Sequence, residues 1–141
     1  MHHVAIMKKQ WGLIDKILSG EKTIESRWYQ TRRVPWNTIQ KGDTVFFKDS
    51  GETVTARAAV SEVMQFELKN TQHIQQIIKR YGKEICLVNK DSRTWESLPK
   101  YCILIRLTHP TRLKEPFLIH KKGYGSATAW ITVSDIKKIR L

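Results

Sequence analysis

The chain has 141 residues, enough for one domain with a single hydrophobic core but few for two domains. Its 25 basic residues against 13 acidic ones give a formal net charge of +12, which favours a polyanionic partner, RNA or DNA first. Because there is no signal-peptide core and no apolar run of about 18 residues, we expect neither secretion nor membrane insertion but a cytoplasmic location.

The first predicted elements are a helix over residues 9–19 and a strand over residues 22–28. Apolar residues recur at helical spacing in the first segment, and Gly20 stands where a helix commonly ends in the left-handed conformation. In the strand, side chains alternate between two faces, so Glu25 and Arg27 should share one face. The apolar helix residues are Trp11, Ile14, Ile17 and Leu18.

Lys22, Glu25 and Arg27 gather three kinds of ionisable group at this turn from helix to strand. Arginine supplies a rigid donor fork, glutamate accepts, and a desolvated lysine can lose its proton. Such a set can hold a planar ligand that is anionic or bears an amide. We therefore predict the functional site here, and an exposed edge strand with a salt-bridged pair is the alternative.

Residues 29–40 show neither helical nor strand periodicity and are predicted to form a long basic loop. Arg32, Arg33 and Trp36 combine charge with an aromatic ring, as single-strand binders do when they attract phosphates and stack on bases. These three residues are therefore candidate nucleic-acid contacts. The alternative is a loop that packs Trp36 against the sheet.

A hairpin is predicted next, with arms over residues 44–48 and 53–63 and a turn at 49–51. The turn signal Lys41-Gly42-Asp43 precedes the first arm. The second arm alternates small apolar residues with more polar ones, which is typical of a half-buried strand that can curve tightly. This pattern favours a small barrel.

A second helix is predicted over residues 71–81, capped by Thr71 and closed by Gly82. The strands are separated by two helices that differ from each other, and this order favours an α+β domain built on a mixed or antiparallel barrel. A parallel doubly wound sheet fits this order poorly.

Residues 101–107 are almost wholly apolar and are predicted to form a central strand. Pro110 and Pro116 should restrict the segment around 117–119 to an edge or a loop, because proline cannot donate to a sheet ladder. The last strand is predicted over 128–133.

Between these last segments lies a basic loop that contains glycine. Lys121 and Lys122 are candidate phosphate contacts, and Tyr124 is a candidate for base stacking. A plain hairpin turn is the alternative. The loop does not fit a dinucleotide-binding fingerprint, so a dinucleotide cofactor is disfavoured.

Cys86 and Cys102 lie among apolar neighbours without metal-ligand spacing, and the histidines show none either. We expect buried, reduced thiols, no metal and no cofactor. Most tryptophans should fill the core. Trp28 is the exception because it adjoins the motif and could stack on a base. The core tryptophans are predicted to be Trp11, Trp95 and Trp130.

Gly20, Lys22, Glu25 and Arg27 form a Gly-x-Lys-x-x-Glu-x-Arg pattern after a short helix, and a Lys-Gly-Asp turn opens the following strand. With these features the chain resembles the ASCH family of the PUA-like superfamily. The resemblance implies one α+β domain over residues 1–141, a curved β-barrel of mostly antiparallel strands flanked by helices. It also implies a cleft beside the motif that binds RNA or a nucleotide.

The functions that this resemblance implies are not uniform, since members are associated with coactivator-type RNA processing, ribonuclease activity and hydrolysis of N4-acetylcytidine. Lys22 corresponds to the lysine assigned to catalysis in the amidohydrolases, but Glu25 stands where their threonine is expected. Glu84 is a candidate for their later acidic residue, or else a solvated charge at a helix end.

Our leading hypothesis is a module that binds single-stranded RNA or a nucleotide, in which Lys22, Arg27 and Trp28 contact the ligand. One alternative is an enzyme. It would be a ribonuclease in which Lys22 and Arg27 stabilise the transition state and Glu25 is the base, or an amidohydrolase acting on N4-acetylcytidine-like nucleosides. The other alternative is a protein-binding, coactivator-like module.

Overall fold

The structure is a computed structural model that describes residues 1–87 and 97–141. Six strands in this part of the chain form one sheet in the order β2-β5-β4-β3-β1-β6. The elements in chain order are β1 (His2–Met7), α1 (Leu13–Ser19), β2 (Ile24–Tyr29), β3 (Thr44–Asp49), β4 (Val54–Glu67), α2 (Thr71–Ile85), β5 (Tyr101–Phe117) and β6 (Trp130–Val133). Single turns of 3-10 helix occur at Lys9–Trp11 and Ile136–Lys138.

The sheet is mixed and curls into a half-barrel. β1 and β3 run parallel, whereas the four other neighbouring pairs of described strands run antiparallel. The expected α+β fold with a curved, mostly antiparallel sheet is therefore confirmed. The half-barrel keeps β2 and β6 as its two edges, and the candidate site lies where those edges approach each other.

The core is divided between the two faces of the sheet. Inside the curl, α1 packs through Leu13, Ile14 and Ile17 against the alternating apolar residues of the hairpin arms. On the outer face, α2 packs through Ile77 and Ile85 against the ends of β2 and β5. A third cluster covers the outer face of β1, β3 and β6.

The first helix differs from the predicted segment. Residues 9–11 form a 3-10 turn, Gly12 adopts φ 62°, and the α-helix begins only at Leu13. This break leaves Trp11 half-buried at the rim of the core, where we had expected it inside. Gly20 ends the helix in the left-handed conformation at φ 84°, as predicted.

The second helix begins at Thr71 as predicted, but its capping residue and its C-terminal end differ from the prediction. The cap is Asn70, not Thr71, since Asn70 Oδ1 accepts from the backbone N–H of His73 at 2.9 Å. The helix continues through Gly82, because another turn buries Ile85 to 1% exposure. Cys86 then takes the left-handed position at φ 55°, and this places its thiol at a half-exposed site instead of the buried one we expected.

Strand β5 runs to Phe117 through both prolines, although the sequence predicts that it ends near residue 107. β2 pairs with it only as far as Arg106, so the later half has an open side that tolerates proline. Pro110 and Pro116 also fall where the register with β4 shifts. The strand ends at Phe117, and the next residues form only an isolated bridge at Ile119, so the expected edge or loop around 117–119 is confirmed.

One strand was not predicted, and one predicted strand begins later than expected. Strand β1 was not predicted, although it lies between β3 and β6 in the sheet. β6 starts at Trp130, two residues later than expected. Trp95, expected in the core, lies outside the described residues.

Neither helix in the described part of the chain has the length and apolar character needed to cross a membrane.

The packing of α1 yields the first prediction. Ile17 is 1% exposed, so Ile17→Ala should lower the free energy of unfolding by about 2–5 kcal/mol through lost burial and a residual cavity. Leu18→Ala, at the half-exposed neighbouring position, should cost clearly less. Denaturant unfolding measures both, and equal small losses would show that α1 is peripheral.

Candidate functional site

The motif residues lie on and just before the edge strand β2. Gly20 turns the chain out of α1, and the Lys22 N–H then donates to Lys16 O at 2.9 Å, which holds the loop against the helix. The predicted alternation along the strand is present, since Ile24 packs under α2 while Glu25 lies on the inner face. Lys22 and Glu25 are 2% and 3% exposed, so this is a buried charged site.

All three protons of the Lys22 ammonium are directed at acceptors of the protein. Nζ donates to Ile24 O at 2.8 Å and to Ile85 O, and it lies 3.3 Å from Glu25 Oε1. The lysine therefore ties the start of β2 to the end of α2. Removing it would leave two carbonyls without this donor and Glu25 without one of its two counter-charges.

Glu25 accepts from three sides. Its Oε1 accepts from the Ser26 N–H at 3.0 Å as well as from Lys22, and its Oε2 accepts from Arg27 Nη2 at 3.1 Å. Burial alone would raise the pKa of Glu25, but the Lys22 and Arg27 charges outweigh it and hold that pKa below its ordinary value. The carboxylate is thus ionised at neutral pH.

Arg27 joins the two edges of the half-barrel. Its Nη1 donates to Ala129 O at 3.2 Å, just before β6, and its Nη2 lies 3.5 Å from Ile6 O in β1. The guanidinium also lies over the ring of Trp130, 5.0 Å from its centroid. An arginine on one edge strand thus contacts the opposite edge through two carbonyls and an aromatic face.

A buried chain of hydrogen bonds holds that aromatic face in place. Trp130 Nε1 can only donate, so His3 Nδ1 accepts from it at 3.2 Å and the His3 proton is on Nε2. Nε2 then donates to Asp43 Oδ2 at 2.8 Å, and the same oxygen accepts from the Gln40 N–H at 3.0 Å. The Lys-Gly-Asp turn is therefore connected physically to Arg27.

A cavity of about 350 Å³ opens beside these residues. Its wall combines apolar and aromatic side chains with the charges of the motif, and the backbone carbonyl contacted by Arg27 is at its rim. The aromatic residues on the wall are Trp11, Trp28 and Tyr29, the charged ones are Lys8, Lys22, Glu25 and Arg27, and the thiol is Cys86. The arrangement can enclose one flat, polar ring.

The remaining predicted motif residues lie in different places. Trp28 lines the cavity, and its Nε1 donates to Ser26 Oγ at 3.0 Å. Glu84 lies in the last turn of α2 and does not line this cavity. Its Oε2 accepts from Arg106 Nη1 at 2.6 Å, on the outer face of the sheet.

The three predicted residues of the basic loop after β2 have different surroundings. Arg33 lies over the Tyr29 ring at 5.4 Å and so approaches the cavity. Arg32 pairs with Glu67 at 2.6 Å and lines a separate open cavity of about 450 Å³. Trp36 packs edge-on against Tyr101 with centroids 5.1 Å apart, which is the packed alternative stated above.

The glycine-containing loop lies between β5 and β6. Lys122 and Tyr124 are exposed, and Lys121 Nζ donates to Ser126 O at 3.4 Å. None of these three residues lines the cavity, but their loop leads into Ala129 at its rim.

Two residues of the cavity wall, and two residues of the network that supports Arg27, were not assigned to a site from the sequence. Tyr29 follows Glu25 and Arg27 at strand spacing, so the period of two could have identified it. Trp11 was assigned to the core because its helical spacing hid the break at Gly12. His3 and Trp130 carry no local signal, because their contacts join residues 127 positions apart.

The fold is that of ASCH proteins of known structure. The chain is similar to the crystal structure of the ASCH protein from Zymomonas mobilis, with TM-score 0.64, 16% identity, and coverage of 97% of this chain and 90% of that chain. A serine-to-alanine variant of that protein gives TM-score 0.68 at 17% identity, covering 97% and 91% of the two chains. A tyrosine-to-phenylalanine variant gives 0.63 at 16%, covering 97% and 93%. No protein-family model and no curated protein match the sequence.

The histidine in this network generates a prediction about acid stability. Burial lowers the pKa of His3 below its ordinary 6.5, although Asp43 opposes this. Between about pH 7 and pH 5 the unfolded chain therefore binds more protons than the folded one. This histidine's contribution to stability is consequently lost as the pH decreases from 7 to 5. His3→Gln, which cannot titrate, should consequently cost more stability at pH 7 than at pH 5.

Denaturant unfolding at the two pH values measures this difference. The half-exposed His120 provides a control for the loss of a histidine, because His120→Gln leaves the buried network intact. A cost of His3→Gln that is equal at both pH values would contradict the assigned neutral state.

Proposed function

We propose that this protein binds single-stranded RNA or a nucleotide, as an ASCH-type module, and that one unpaired base occupies the cavity beside Lys22, Glu25 and Arg27. The observation that carries the proposal is the composition of that cavity wall, in which aromatic rings face an ionised carboxylate and a guanidinium. The shared fold with ASCH proteins supports a ligand of this general kind.

The size of the cavity suits one base. At about 350 Å³ it lies near the lower end of the range of about 300–1,000 Å³ seen for ligand pockets. Stacking on aromatic side chains tolerates any base, because every base has a π-face. A carboxylate such as Glu25 can also accept from an exocyclic amine, the contact that acidic residues make with cytosine.

The charge around the opening supports a polyanionic strand. Lys8 and Arg27 line the cavity, and Arg33 lies over Tyr29 at its wall. With a net charge of +12, phosphate attraction and counterion release would supply much of the affinity, as is usual for single-strand binding.

The contacts of the motif favour binding over catalysis. Lys22 directs its three protons at protein acceptors, and Glu25 accepts from three protein donors. A general acid or base must exchange a proton with the substrate, and this pairing opposes such an exchange. The ribonuclease and N4-acetylcytidine amidohydrolase alternatives would require the motif to rearrange.

The test measures affinity for a fluorescein-labelled single-stranded RNA of about 10 nucleotides by fluorescence anisotropy. Trp11→Leu removes a stacking face and keeps an apolar side chain, so affinity should fall about 5- to 150-fold. Trp36→Leu is the matched control, because Trp36 is also half-buried but packs against Tyr101. It should retain the parent affinity within about twofold.

The same samples separate the alternatives. Bound RNA should be recovered intact, and N4-acetylcytidine should remain unconverted. Absence of binding at low salt, or equal losses in the two tryptophan variants, would contradict the proposal. Shortened RNA or free acetate would instead support one of the two enzyme alternatives.

A further inference from the structure

A second buried charge lies outside the motif. Lys48 in β3 is 6% exposed and lies between Ile6 and Val54 in the sheet, both members of an apolar cluster. Within residues 1–87 and 97–141, its ammonium has neither a hydrogen-bond acceptor nor an ion pair. Lysines are rarely buried to this degree without a partner, because the unpaired charge loses hydration.

The only other nearby charges within the described residues do not supply that partner. The carboxylate of Glu52 pairs with Lys9 at 2.9 Å. It attracts the Lys48 ammonium electrostatically without forming an ion pair with it. Burial and the positive charge of Lys121 lower the pKa of Lys48 below its ordinary value. An anion bound at the Lys48 ammonium would relieve both the cost of its burial and the repulsion from Lys121.

The loop that carries Lys121 is fixed over this region at both ends. Ile119 packs against the cluster that contains Ile6, and the Ile6 N–H donates to Ala129 O at 2.9 Å. Lys121 makes one hydrogen bond, to Ser126 O at 3.4 Å, so two of its three protons are free for a ligand.

We propose that Lys48 and Lys121 form a phosphate-binding site that holds a backbone phosphate of the RNA strand whose base enters the cavity. Ile6 connects the two sites, because it lines the cavity and pairs directly with Lys48 in the neighbouring strand. This inference rests on the proposed function for the identity of the ligand. Its chemistry, a phosphate oxyanion between two ammonium groups, stands on the lysines alone.

The RNA arm of the test uses the same labelled single strand. Lys48→Met should weaken binding about tenfold or more, as expected when a charged hydrogen bond is lost. It should also reduce the slope of log K against log salt by about 0.7, the value for one phosphate of a single strand. Lys121→Met should act in the same direction. Lys79→Met, on the exposed side of α2, is the control for loss of one charge and should leave both quantities near the parent values.

A second arm needs no RNA. Lys48→Met should fold and keep or raise the melting temperature, because methionine fits the apolar face without a buried charge. Millimolar inorganic phosphate, compared with chloride at equal ionic strength, should raise the melting temperature of the parent protein more than that of Lys48→Met. The difference between the two proteins removes the general stabilising effect of phosphate salts.

The two arms give distinguishable failures. If the parent binds RNA and Lys48→Met binds it equally well, the phosphate site is overturned while the proposed function stands. If RNA does not bind but phosphate stabilises the protein through Lys48, the proposed function is overturned and the anion site stands. If neither ligand has an effect, both are overturned.

Discussion

The ionised carboxylate of Glu25 is the interaction on which the rest of the site depends. It lies between the buried Lys22 and the partly buried Arg27, and each of these connects β2 to a different part of the molecule. Lys22 reaches the last turn of α2, and Arg27 reaches Ala129, just before the opposite edge strand β6, and Ile6 in the neighbouring strand β1. A half-barrel has two edges whose polar groups need partners, and Arg27 joins them here. The cavity opens beside the point where Arg27 joins the edges.

The second requirement is that Arg27 has a fixed surface to lie against. The Trp130 ring supplies it, and His3 and Asp43 hold that ring from behind. The Lys-Gly-Asp turn and the Gly-x-Lys-x-x-Glu-x-Arg pattern are distant in sequence, yet they are the two ends of one buried polar chain. Such chains rigidify a core when every member is bonded, and the motif therefore has a structural role as well as its proposed binding role.

Much of the site was predictable because its spacing is local. A period of two places Glu25 and Arg27 together on β2, and Gly20 predicts the turn that brings Lys22 beside them. What the sequence could not supply are contacts made through long-range pairing. β1 pairs in parallel with β3, and this brings His3 to Asp43 and Ile6 to Lys48 without any local pattern. The prolines of β5 led to a predicted strand that is too short for the same reason. The strand tolerates them because β2 pairs with β5 only as far as Arg106, and no local pattern indicates this.

The central claim is that the charge of Glu25 holds the half-barrel together, and Glu25→Gln in a denaturant unfolding experiment tests it most directly. Glutamine keeps the shape of the side chain, but its NH2 group can only donate and would face the protein groups that donate to Glu25. The substitution also leaves Lys22 without a counter-charge. The loss in unfolding free energy should be about 3–5 kcal/mol, as for a broken buried pair. Glu62→Gln, which breaks an exposed pair with Arg106, should cost no more than about 1 kcal/mol. Equal small losses for the two variants would contradict the account.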